Sequence, residues 1–475
     1  MGKLKFFRDP IHNYIEIPAE YCSDFIDTYL FQRLRAIEQT SMRCLYPAAR
    51  HDRFVHSIGT YHIATKVFSA IEPQLRNKLR DYTANNDIGK IKHTFLLAAL
   101  LHDCAHSPFS HTGEKICKTF CPALVRSSFV SIFNNSQEIE ADLKEGKSPA
   151  IHEMASAYVA CRYYSNKLDN YGVDKEQLAR MITGVLNAES TDFNYAIYNP
   201  LIKLLNGFVI DVDRLDYLLR DSWASGVSNA SVDLERLLKG IILSKTVGEI
   251  EIDKSALSSL INAIKARDFI YQWILPHHKV AFCNHILRES ISELIKRLSD
   301  GCSNHNETGE KLFSPERLLS PETIHGEYIY MPTDGDLIYL IKKYCADNAS
   351  ANILLTRSNK YKPLWKSVAE FFTLFPVPDS VKTDNIAKCY TGLFSLIKED
   401  SADAIVIKDT IKFTLPELLR VKIRGGVNDS LNLINLLPSV KPLPSHLFVY
   451  VKDGDSLSIQ KLQGLFSEIK VKLGV

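Results

Sequence analysis

Apolar residues recur at three- and four-residue intervals from Ala19 to about Phe68, as in FIDTYLFQRLRAIEQ, and this spacing predicts helix. The segment KIKHTFLLAALLHD is apolar on nearly every side from Thr94 to Leu101. It predicts a buried helix, which Pro108 ends soon after His102 and Asp103. Two ionisable side chains therefore sit at the inner end of a core helix. Helical spacing also covers Ile151 to Tyr164, Lys175 to Leu186, Tyr198 to Gly207, Asp213 to Ser222 and Ser255 to Arg297. Strand-like stretches are few, and IILSKTVGEIEI from Ile241 predicts a hairpin about its Val-Gly turn. The Gly-, Ser- and Asn-rich run DGCSNHNETGEKLFSP interrupts the pattern. We place a mostly α-helical domain at 1–299, a linker at 300–315 and a smaller α+β domain at 316–475. In the last, DGDLIYLIKKY and PLWKSVAEFFTLF predict helices, and HLFVYVKD a strand before a final amphipathic helix.

With 475 residues and 45% hydrophobic content, the chain has enough apolar surface for a substantial core. The net charge of +2 gives no bulk attraction to nucleic acid or an acidic membrane, so an anionic ligand would have to meet a local patch. Ten cysteines are scattered without a CxxC pair, which suits a reducing compartment and a cytoplasmic setting. The start, MGKLKFFRDPIHNY, has no apolar leader core, and residue 6 is Phe where a myristoylation signal has Ser or Thr. Neither GxxxxGK[ST] nor GxSxG occurs, which disfavours a P-loop nucleotidase and a serine hydrolase.

Seven of the fifteen histidines fall between His51 and His111, and HDCAHSPFSHTGE is the densest polar knot in the chain. Imidazole and carboxylate together hold a divalent ion while leaving coordination positions open. Such an ion lowers the pKa of a bound water from about 15.7 towards 7. A lone buried histidine is more often a hydrogen-bonded core residue. Beside His102, however, stands Asp103, which is costly to bury at the end of an apolar helix without a charged partner.

The pieces RFVHSIG, LLHDCAHSPFSH and IDVDRLDYLLRD together resemble the H…HD…D signature of the HD superfamily of metal-dependent phosphohydrolases. FRDPIHNYIEI and FQRLRAIEQ resemble the opening of deoxynucleoside triphosphate triphosphohydrolases of the sterile-alpha-motif and HD-domain type, here with no sterile-alpha-motif segment ahead of them. The likeness covers residue 4 to about residue 290, with a weaker echo in DGDLIYLIKKY and YKPLWK. It implies one divalent ion, of a metal not fixed by the residues, on His56, His102, Asp103 and Asp213. Asp213 is preferred to Asp211 by the motif order, which leaves Asp211 and Asp216 to orient neighbours or cap the helix. The resemblance further implies His111 as proton donor, with Glu114 and His152 as its relay, and His106 against the substrate phosphates. For His152 a core or surface role is the alternative, and for His106 a cap on the turn. Arg53, Arg214, Tyr217 and Asp221 fall where the family touches phosphate and sugar, and Arg267 supplies a further cation unless it lies on a solvated helix face.

Gln39 matches a contact to the sugar 3′-hydroxyl. Its neighbour Thr40 replaces an apolar residue that crowds a 2′-hydroxyl, and Leu275 stands where an aromatic is common. The resemblance implies hydrolysis of a nucleoside triphosphate at the α-phosphorus to nucleoside and triphosphate. Its rivals are another HD phosphomonoesterase or phosphodiesterase, acting on ribonucleotides, cyclic nucleotides or single-stranded nucleic-acid ends, and a nucleotide-sensing regulator. Homo-oligomers with nucleotide between subunits are a further expectation from the family.

Overall fold

The computed structural model describes residues 2–82, 87–145, 148–189, 192–207, 211–227, 232–299, 305–377, 383–400, 404–409, 418–422, 428–432, 446–453 and 455–474. The chain opens with an antiparallel hairpin, β1 (Leu4–Asp9) and β2 (Asn13–Pro18), turned at Asn13 with a φ of 62°. No alternation announces this hairpin, because four of the six β1 residues are exposed and only Asp9 is buried. Short helical pieces follow, and residues 37–52 are largely irregular where sequence spacing predicts continuous helix to Phe68. Asp52 explains the restart: its carboxylate accepts the Val55 amide at 2.9 Å and caps α1 (Arg53–Leu79).

Helix α2 (Ile88–Leu101) is the buried helix expected from the sequence, with Phe95, Leu97, Leu100 and Leu101 completely shielded. Burial of such side chains contributes about 1.5–3 kcal/mol each. After a turn come α3 (His111–Phe120), α4 (Ile151–Tyr163), α5 (Lys175–Thr183) and α6 (Val212–Ser225). Asp211 caps α6 by accepting the Arg214 amide at 2.7 Å. The hairpin about the Val-Gly turn is present as β3 (Ile241–Leu243) and β4 (Ile250–Asp253). The long helix expected from Ser255 to Arg297 is divided into α7 (Leu257–Phe269), a π-helical turn at Ile270–Ile274 and α8 (His278–Leu298). Pro276 supplies the reason, since it has no amide proton to continue the ladder.

Within the interval read as a linker lies α9 (His305–Phe313), whose Leu312 and Phe313 join the main core. That core runs on through the hairpin β5 (Glu322–Ile324) and β6 (Glu327–Ile329), α10 (Asp334–Tyr344) and α11 (Ala349–Thr356), as far as Ala351. A second core gathers Trp365, Phe371, Tyr390, Phe448 and Phe466 against Ala281, Phe282 and Ile286 of α8. The apolar packing therefore changes hands later than 300–315, and α8 belongs to both cores. The second unit is α+β: β7 (Tyr361–Pro363), α12 (Thr383–Asp400), β8 (Ile405–Asp409), β9 (Leu418–Lys422), β10 (Asn428–Asn432), β11 (His446–Lys452) and α13 (Ile459–Leu473). Strands β7, β11 and β8 form one sheet in that order. Strand β9 instead pairs parallel with β4, giving a sheet of order β10-β9-β4-β3 that joins the two parts of the chain. Among the described residues, no helix is long and apolar enough to cross a membrane.

Candidate metal and catalytic centre

Helices α1 and α2 lie side by side, and α6 packs across α1, so three distant stretches of sequence meet at one point. His56 Nε2 stands 3.0 Å from Asp213 Oδ1 and 3.2 Å from His102 Nε2, and His102 Nε2 is 3.6 Å from Asp213 Oδ1. Asp103 Oδ2 lies 3.5 Å from His102 Nε2 and 3.7 Å from His56 Nε2. Ligands about 2.0–2.1 Å from one divalent ion are separated by roughly 3.0–3.4 Å, so this donor set fits one. The tightest group is His56, His102 and Asp213, with Asp103 on its flank.

The ring orientations are fixed from behind. His56 Nδ1 is 2.8 Å from Asp216 Oδ2 and His102 Nδ1 is 2.9 Å from the Ala99 carbonyl, so both rings turn Nε2 inward. Asp216 is held by Arg220 at 2.8 and 2.9 Å and by His12 Nε2 at 2.7 Å, and Arg220 reaches Asp9 at 2.9 Å. Asp9 and His12 come from the turn of the opening hairpin. Gly59, one helical turn beyond His56, admits the Asp216 carboxylate where a Cβ would be only 2.0 Å from Oδ1. Asp216 takes the orienting role that the motif order leaves to it, whereas Asp9, His12, Gly59 and Arg220 carry no role in the sequence reading, although FRDPIH and RFVHSIG contain the first three.

Burial opposes charge on His56, but Asp213 and Asp216 outweigh it and raise its pKa to about 10. Burial likewise opposes ionisation of Asp103, yet Arg53, His102 and His56 hold it below the ordinary carboxylate range. Asp213 is lowered against burial by His102 and His56. The pocket thus presents carboxylates in the ionised form that a cation requires.

Directly after α2, the SPFSH turn carries two consecutive left-handed residues, Phe109 (φ 60°) and Ser110 (φ 51°). Gly113 permits it, because a Cβ there would lie 1.9 Å from the Pro108 carbonyl oxygen. The turn and α3 bring His106, His111 and Glu114 together with His152 from α4. Glu114 accepts from His111 Nδ1 at 3.1 Å with one oxygen, and its other lies 3.0 Å from His152 Nδ1. Burial disfavours a charged His152, and Glu114 overrides it, raising the pKa to about 9. His106 is fully buried, stacks on His152 with centroids 4.5 Å apart, and has no partner for either ring nitrogen. Burial first, then Arg53, His152 and His111, keep it neutral.

The substrate-contact candidates are partly committed elsewhere. Arg53 gives Nη1 to Asp103 at 2.5 Å, Nε to Ser110 Oγ at 3.0 Å and Nη2 to the Gln39 carbonyl at 3.3 Å. To clamp phosphate it must exchange partners. Arg214 is turned onto Asp211 and the Gly207 carbonyl, while Asp221 holds His51 Nε2 at 2.7 Å. Tyr217 is half-buried, and its phenol is raised well above its ordinary pKa by desolvation, with Tyr271, Arg267, Arg214 and Asp213 acting on it nearby. Arg267 lies over the Tyr271 ring at 5.4 Å, and Leu275 packs in the same small apolar cluster as Tyr217. Gln39 Oε1 and Thr40 Oγ1 are buried without a hydrogen-bond partner.

Comparison with known proteins follows this geometry. Residues 53–218 match the HD domain family. The chain is 30% identical over 241 residues to the deoxynucleoside triphosphate triphosphohydrolase SAMHD1 homolog of Dictyostelium discoideum, covering 50% of this chain and 39% of that protein. It is 28% identical over 306 residues to the uncharacterized protein YwfO of Bacillus subtilis, covering 63% and 58%. The chain thus spans about half the length of the curated relatives it matches. A hypothetical protein from Aquifex aeolicus shares the fold at a TM-score of 0.61 and 20% identity, over 98% of this chain and 100% of that one. The pieces that close around His56, His102, Asp103 and Asp213 lie inside the segment 53–218, and it is this segment of the chain that matches the HD domain family.

Proposed function

We propose that the protein hydrolyses nucleoside triphosphates at the α-phosphorus, releasing nucleoside and inorganic triphosphate. One juxtaposition carries this reading: the His56, His102, Asp103 and Asp213 donors stand beside a separate His111, Glu114 and His152 relay. His56, His102, Asp103 and Asp213 would hold a divalent ion, which would supply Lewis acidity and lower the pKa of a water. Asp103 orients the attacking water by accepting its hydrogen bond. The water oxygen forms a bond to the α-phosphorus as the bond to the 5′-oxygen breaks, and the proton the water loses leaves to solvent. His111, whose side chain is 65% exposed, donates the proton that the departing 5′-oxygen needs. Glu114 holds His111 through Nδ1, which leaves Nε2 for that transfer. Arg53, Arg214 and Arg267 offset charge along the phosphate chain, His106 lines it, Gln39, Tyr217 and Asp221 receive the sugar, and Thr40 in place of an apolar residue tolerates a 2′-hydroxyl. A cytoplasmic setting and assembly into homo-oligomers complete the reading, as the resemblance implies.

The test is a product-resolved assay of the eight common nucleoside triphosphates with Mn²⁺, Fe²⁺, Co²⁺ or Mg²⁺, using Asp103→Ala as the blank. Inorganic triphosphate with free nucleoside is the expected outcome. Monophosphate or pyrophosphate as the product overturns it in favour of another HD phosphoesterase reaction. Tight nucleotide binding with no turnover under any metal overturns it in favour of a sensor.

A further inference from the structure

We infer that His106, His111, Glu114 and His152 form a second divalent-cation site, of the kind that takes Zn²⁺, sharing no ligand with the first. Three imidazoles and one carboxylate are a donor set suited to tetrahedral zinc. One donor atom from each of the four residues lies within 4.8 Å of all the others. Zinc bonds of about 2.0–2.1 Å call for ligand separations of roughly 3.4 Å, so closure takes a movement of about an ångström. The movable member is His111, whose side chain is 65% exposed, while His106 is buried and His152 half-buried.

His106 is the independent pointer. Its ring is 0% exposed, and neither nitrogen has a hydrogen-bond partner. An unmet buried polar group costs about 1–3 kcal/mol, and a cation accepting one nitrogen lone pair removes that penalty. The ring stacks on His152 at 4.5 Å and stands edge-on to His111 at 5.4 Å, so its polar edge belongs to this cluster. Charge is favourable on one side, because Glu114 is kept ionised against burial by His152 and His111. Arg53 opposes a cation here, but Asp103 neutralises it at 2.5 Å. The consequence for turnover rests on the function proposed above: an ion seated on this cluster occupies the proton donor and its relay, so zinc silences the enzyme while leaving the first site intact.

Binding, not hydrolysis, decides the matter. Equilibrium dialysis of the full chain against Zn²⁺ with elemental analysis is expected to give two ions per chain. Glu114→Gln, nearly isosteric, is expected to weaken one of them about tenfold or more, and Asp213→Asn the other. The Co²⁺ form of Asp213→Asn is expected to show the intense visible bands of a four-coordinate ion, which Glu114→Gln abolishes. A wild-type count of one Zn²⁺ that Asp213→Asn removes, or a count and spectrum that Glu114→Gln leaves unchanged, overturns the inference. A count unchanged by Asp213→Asn overturns the first site instead, so the two failures are distinguishable. Circular dichroism establishes that each variant is folded, and His152→Gln repeats the test from a second ligand.

Discussion

Gly59→Ala adds one methyl group, three residues along the chain from His56 and in direct contact with the Asp216 carboxylate that supports it. The new Cβ would stand 2.0 Å from Asp216 Oδ1, 2.5 Å from Arg220 Nη2 and 2.7 Å from Asp216 Cγ. Ordinary contact needs about 3.5 Å, so the carboxylate must retreat by more than an ångström or α1 must separate from α6. Retreat breaks contacts at 2.7–2.9 Å to His12, His56 and Arg220. Asp216, Arg220 and Asp9 are at most 2% exposed, so water does not replace what is lost. Separating a buried ion pair costs about 3–5 kcal/mol, and overpacking alone about 1–3 kcal/mol. We expect Gly59→Ala to lose about 3 kcal/mol of stability in denaturant titrations. We also expect Mn²⁺ affinity, measured by equilibrium dialysis, to fall about 10–100-fold, because the partner that turns His56 Nε2 inward has moved. Stability within about 0.5 kcal/mol of wild type together with unchanged Mn²⁺ affinity would refute the bracing argument.

Two further outcomes follow from charge. His152 is expected to titrate near pH 9 by NMR, since Glu114 raises it against burial. The pair's contribution to stability is fully present between about pH 4.5 and 6.5, is lost as pH rises through about 9, and declines again in acid as Glu114 takes up a proton. In Glu114→Gln the titration should drop below pH 6.5, and a value still near 9 excludes Glu114 as the cause. Asp334 behaves in the opposite sense to an ion-paired carboxylate: burial raises its pKa from 3.8 to about 6, even though the Glu38 and Phe109 amides oppose the shift. The folded chain therefore binds this proton more tightly than the unfolded chain, and stability falls by about 3 kcal/mol as pH rises from about 4 through 6. Asp334→Ala should flatten that part of a pH–stability profile, and an unaltered slope assigns it to other groups.

Much of the candidate site's clustering was legible because its residues sit on strong helical signals. LLAALLHD has to be a buried helix, and a buried His-Asp step needs company. Asp211 was readable as a cap because Asp is a favoured residue there, and the structure shows it accepting the Arg214 amide. The opening hairpin was not readable: its exposed face is mixed, and its value lies in long-range contacts from Asp9 and His12 to α6. The divided helix at Pro276 carried a visible signal that the surrounding apolar spacing obscured. The sheet joining β4 to β9 could not be inferred locally, since pairing between strands so distant in sequence depends on the tertiary fold. Arg53 shows the remaining difficulty: residue type marks it as suited to phosphate, whereas three neighbours already occupy its donors.

Asp334 begins a helix far along the chain, yet one of its oxygens accepts the Glu38 amide at 3.0 Å and the other the Phe109 amide at 2.6 Å. Just before it, the Pro332 carbonyl takes Arg33 Nε at 2.8 Å, and the same guanidinium reaches the His106 carbonyl at 2.9 Å. The backbone around His106 and the turn before His111 are thus clasped from outside the segment that carries the signature. Truncation at residue 299 would retain every signature residue and still release that clasp. Anything docking near α10 would pull on the same backbone groups, which makes this short stretch a mechanical lever on the turn that carries His111.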